Sequence, residues 1–140
     1  MTQMNPADKG TEIGRAWTVT LGVMAALFTL LGLGWLFVPG VVSALMRMPL
    51  LAGEGLSTQI GDLASFFLAM GVSILIALLN HSAIWLYPAV LLLVFAAVGR
   101  VIAWLFHGAG LPLDMVVFEL VVAAFLISVA SKLTADQTKS

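Results

Sequence analysis

LASFFLAMGVSILIALLNHSAIWLYPAVLLLVFAAVG, residues 63–99, contains no aspartate, glutamate, lysine or arginine. As one helix it would be nearly twice what a bilayer needs, since about 20 residues cross about 30 Å of hydrocarbon. It is interrupted once, where Asn80-His81-Ser82 set three polar residues in a row and predict a tight turn. The stretch therefore divides into two crossings, over residues 60–79 and 83–106. A strand reading is excluded, because an open sheet edge leaves backbone N–H and C=O groups unsatisfied in lipid.

Working outward gives two more crossings. Residues 16–46 are also free of charge, and Pro39-Gly40 ends a first span over residues 16–38. That run is much longer than the roughly 7–15 residues of a cleaved signal sequence, so it is expected to remain in the chain. Downstream, His107-Gly108-Ala109-Gly110 makes a second turn, and Pro112 opens a fourth span over residues 113–131. The reading is an all-α, polytopic membrane protein: an up-and-down bundle of four transmembrane helices. One domain covers residues 16–131, between polar tails at 1–15 and 132–140 expected to be loose.

Composition agrees. The chain is 61% hydrophobic and 9% charged, against about half and a quarter in soluble domains. The bilayer is the partner this demands. A net charge of −1 gives no basis for binding nucleic acid. Cysteine is absent, which removes disulfides and thiolate chemistry. Trp17, Trp35, Trp85, Tyr87 and Trp104 all fall near span ends, as in an interfacial aromatic belt.

Orientation follows from the basic residues. Both tails and the Asn80-His81-Ser82 turn share one side, which carries Lys9, Arg15, Lys132 and Lys139; the opposite loops carry only Arg47. The excess predicts cytoplasmic termini. Residues 39–59 are too apolar for a solvated loop, with Val41, Val42, Leu45, Met46, Leu50 and Leu51 among them. A short interfacial helix with Arg47 toward the headgroups is expected there, and a gate over a cavity is the alternative.

Three ionisable residues fall inside the spans: Asp62, Arg100 and Glu119. Each costs about 2.5–3.5 kcal/mol at a bilayer centre unless paired or wetted. Arg100 and Glu119 are symmetric about the Ala109/Gly110 boundary. In an antiparallel helix pair they therefore lie at one depth, with Glu119 the nearer partner and Asp62 a second acceptor. His107 and Asp114 stand at the periphery, Asp114 also being a normal helix-start residue. Arg100 shares a face with Ala96 and Ala103, and Glu119 with Ala123 and Ala130. Gly61, Ser65, Ala69, Ser73 and Ala77 form a four-residue ladder that predicts helix packing, and Gly32-x-Gly34 does the same in span one.

Two readings of the charged cluster stand side by side. One is a structural ion pair that fixes helix register; the other is a polar pocket for a proton, an ion or an amphiphile. No nucleophile–histidine–acid set, phosphate loop or metal motif is present, and His81 and His107 lie on opposite faces. Neither a catalytic role nor a cofactor or metal is expected.

The order Phe37-Val38-Pro39-Gly40, Gly61-Asp62-Leu63, Gly99-Arg100, His107-Gly108 and Glu119 resembles small bacterial four-helix integral membrane proteins classed as a domain of unknown function. The resemblance covers most of residues 17–132. It implies a bacterial inner (cytoplasmic) membrane and recurrence of the arginine and glutamate, but no reaction. Small multidrug-resistance transporters also have four spans, yet their essential glutamate lies in the first, which has no charge here. The leading expectation is a non-enzymatic accessory or interaction module, paired with itself or another membrane protein. The alternative is a small carrier or binding protein built on the Asp62, Arg100 and Glu119 cluster.

Overall fold

The computed structural model describes residues 6–137, with side chains described for residues 14–135. It is an all-α bundle: α1 (Pro6–Phe37), the short α2 (Pro39–Leu45), α3 (Gly53–Asn80), α4 (Tyr87–His107) and α5 (Leu113–Gln137), with a 3-10 turn at Ala83–Leu86 before α4. Four of these segments are long and apolar enough to cross a membrane: Gly14–Phe37, Gly53–Asn80, Ala83–His107 and Leu113–Ala135. Only 22–39% of each span's most apolar stretch is buried within the chain. The rest faces outward, which suits contact with lipid, and the protein is a multi-pass membrane bundle. One end of the bundle carries α2 and the 108–112 turn and is called the loop end; the other carries the 80–82 turn and is the tail end.

The bundle is two tight hairpins placed side by side, α1 with α3 and α4 with α5. The α1–α3 seam is very close. A Cβ on Gly71 would lie 2.3 Å from Thr29 Oγ1 and 2.6 Å from the Thr29 nitrogen, and one on Gly32 would meet Leu68 Cγ at 2.6 Å. Without a hydrophobic drive between helices in lipid, such backbone approach is how dispersion holds them together. At the tail end the two hairpins are tied by Trp17, stacked on Phe125 with centroids 5.2 Å apart. Lys132 Nζ lies 4.0 Å above the same ring, a cation–π contact.

Local chemistry explains the breaks. Pro39 begins α2 and cannot donate to α1, so the chain turns there. The end of α2 is a Schellman cap: Arg47 is left-handed at φ 56°, its N–H donates to Ala44 O, and that of Met48 donates to Ser43 O. His81 at φ 48° ends α3 and Gly108 at φ 67° ends α4 in the same left-handed region. Gln59, buried, straps the 49–51 loop down: its Oε1 accepts from Leu51 N–H and its Nε2 donates to Pro49 O, both at 3.0 Å.

Several expectations are corrected. The second span starts at Gly53 rather than near residue 60, so the end of the expected loop is helix. Residues 6–15 extend α1 and residues 132–137 extend α5, so those parts of the tails are helical; residues 1–5 and 138–140 lie outside the described residues. Trp35 is 0% exposed and belongs to the core, not to an interfacial belt. Beside it α2 folds back on the end of α1, closely enough that a Cβ on Gly34 would meet Val42 Cγ2 at 2.7 Å. Trp85, Tyr87 and Trp104 are exposed near span ends. The small-residue ladder is split: Ser73 and Ala77 are buried, whereas Gly61, Ser65 and Ala69 face outward. A strict four-residue repeat drifts about 40° per step around a 3.6-residue helix, so one ladder cannot follow one seam throughout.

Candidate functional site

Arg100 stands on α4 and Glu119 on α5, and the hairpin brings them together. Arg100 Nε donates to Glu119 Oε1 at 2.9 Å. The two side chains are unequally covered, 32% exposed for Arg100 and 9% for Glu119. Glu119 Oε2 is buried and has no hydrogen-bond partner among the described residues. A carboxylate oxygen in that state loses its hydration without recompense; Trp35 Nε1 is the other buried polar atom without a partner among the described residues. Ala123 and Ala130, on the glutamate's face, are buried, so that face points inward.

The pair lines a cavity of about 310 Å³ between the two hairpins. All four spans contribute apolar wall: Leu31 from α1, Phe67 and Met70 from α3, Leu93 from α4, Phe118 from α5. Leu27, Leu45, Asp114 and Phe118, all exposed, are also in its lining, so it is open to the exterior of the bundle. Arg100 and Met115 also border a second cavity of about 590 Å³ beneath the loop end, shared with Arg47, Met48 and Leu111. Arg100, with Met46 and Met115, is thus common to the lining of both cavities.

Asp62 does not join the pair. It is exposed on α3 and makes no ion pair among the described residues. The next residue, Leu63, lines the cavities beside Arg100, and one residue along a helix turns the side chain by about 100°. Similar depth was not enough; the azimuth is wrong. His107 is exposed at the end of α4. Asp114, a helix-start residue, has a specific partner instead: Arg47 Nη2 donates to its Oδ2 across the loop end, tying the α2–α3 connection to the start of α5. The sequence carried a signal for this pair, since Arg47 is the only basic residue in the loop-end connections. Both partners are largely exposed, so solvent screens the attraction and it contributes little to stability.

Among the described residues no three His, Cys, Asp or Glu side chains are grouped to hold a metal ion. The arrangement is therefore a hydrogen-bonded ion pair in the wall of an apolar chamber. Compared with known protein families, with curated proteins and with solved structures, the chain matches none.

Proposed function

We propose that this bundle binds an amphiphile taken from the surrounding lipid, with the Arg100–Glu119 pair at the polar end of the chamber. The single observation that carries this reading is the buried, unpartnered Oε2 of Glu119, a residue that lines a largely apolar cavity. A purely structural ion pair has no use for that volume, because a sealed contact would satisfy dispersion better. The tail end is the cytoplasmic one, supported by the excess of Lys9, Arg15, Lys132 and Lys139 over Arg47. The chamber then lies in the outer half of the membrane, which for a bacterial chain of the kind it resembles is the inner membrane.

The test uses purified protein in lipid nanodiscs, dialysed to equilibrium against three ten-carbon probes: 1-decanol, decanoate and decylammonium. At least one should be held in saturable excess over empty nanodiscs. Met115→Trp fills the wall shared by both cavities and is expected to remove that excess while leaving the melting temperature within a few degrees. Excess binding by none of the probes, or binding unchanged by Met115→Trp, contradicts the reading.

The interaction module retains one observation in its favour. Gly61, Ser65 and Ala69 present a small-residue face outward on α3, which suits close packing against a second copy. Native mass spectrometry from nanodiscs should then find a dimer that Ala69→Leu dissociates.

A further inference from the structure

Resting on the binding reading above, we infer that the chamber selects a neutral amphiphile whose polar end donates a hydrogen bond, an alcohol or amide rather than an ion. The acceptor is Oε2 of Glu119: the residue lines the chamber, and this oxygen is buried without a partner, so a ligand reaches it only as the side chain turns toward the chamber. An oxygen of this kind gains from any N–H or O–H brought to it, and stays desolvated beneath a ligand that has none.

The charges argue for neutrality. Four charged groups surround the two cavities, Arg47, Arg100, Asp114 and Glu119. They are matched in two pairs, Arg100 with Glu119 and Arg47 with Asp114. Two positive and two negative charges leave the lining with none in excess. A cation brought to Oε2 would stand beside the Arg100 guanidinium, and an anion would meet Oε2 itself. Either would bring an unmatched charge into a space walled by Leu31, Phe67, Met70 and Phe118, where it is costly. A hydroxyl satisfies the oxygen and adds no charge. The cavity of about 310 Å³ lies at the small end of the roughly 300–1,000 Å³ found for ligand sites. One short chain or a compact ring system suits it, not a whole two-chain lipid.

The experiment compares 1-decanol with its methyl ether, decylammonium and decanoate on the wild-type protein in nanodiscs, each normalised to its concentration in the bilayer. The methyl ether keeps the oxygen and loses only the donor. Decanol should bind about tenfold or more tightly than the ether, the usual worth of a hydrogen bond to a charged group, and more tightly than either ion. Glu119→Gln leaves Arg100 unmatched, so it should weaken decanol and raise decanoate above it. Equal binding of alcohol and ether would overturn the inference, as would preference for either ion in the wild type. Those outcomes leave the binding reading intact, whereas no saturable binding of any probe removes both.

Discussion

Gly71→Ala is expected to destabilise the bundle by about 3 kcal/mol or more, the upper end of what overpacking costs. The added Cβ would stand 2.3 Å from Thr29 Oγ1, 2.6 Å from the Thr29 nitrogen and 3.0 Å from Ala25 O. Two of those three atoms are backbone, so no rotamer change relieves them; α1 and α3 must move apart. This seam is the most extensive helix contact in the protein, and in lipid its strength is mainly close dispersion, which falls steeply with a gap of even 0.5–1 Å. The opposing effect is the higher helix propensity of alanine, about 1 kcal/mol at most. Sterics win. Thermal or SDS-driven unfolding in a fixed detergent reads the result, and a Gly71→Ala protein as stable as wild type would show that the seam is not close.

Arg100→Met should cost about 3–5 kcal/mol, the range for stranding one member of a buried pair. The asymmetry of burial makes this the worse of the two single changes. Without the guanidinium, Glu119 at 7% exposure keeps a carboxylate in apolar surroundings with neither oxygen bonded. Glu119→Gln strands Arg100 instead, but that side chain is 32% exposed and borders the loop-end cavity, so it can extend toward water. The double variant Arg100→Met with Glu119→Leu removes both charges and should recover most of the loss. It should also bind no decanol, separating the pair's part in stability from its part in recognition. Equal costs for the two single variants, or no recovery in the double, would contradict this account of the pair.

Much of the architecture was legible because lipid leaves few choices. Two uncharged runs, residues 16–46 and 63–99, and apolar stretches parted by Pro39-Gly40, Asn80-His81-Ser82 and His107-Gly108 admit little but four helices. The shared depth of Arg100 and Glu119 was also legible, since counting outward from Ala109/Gly110 needs only the rise per residue. What was not legible is azimuth and tertiary cover. Asp62 lies near the right depth but on the wrong side of α3. Trp35 lies near a span end, yet it is fully buried, and no periodicity announces that. Gly71 is one glycine among 13, and only the position of Thr29 marks it. The cavity itself is a property of how two hairpins meet, which pattern within one helix does not encode.

The central claim is that the chain crosses the bilayer four times, with the 80–82 and 108–112 turns on opposite sides and the Arg100–Glu119 chamber between them. The absence of cysteine makes the test clean, because each introduced thiol is the only one. Asn80→Cys, Leu50→Cys and Ala109→Cys, exposed positions all three, would be treated in intact cells with a membrane-impermeant maleimide. Leu50→Cys and Ala109→Cys should label at once, and Asn80→Cys only after the membrane is opened. Labelling of Asn80→Cys and Ala109→Cys from the same side would contradict the account.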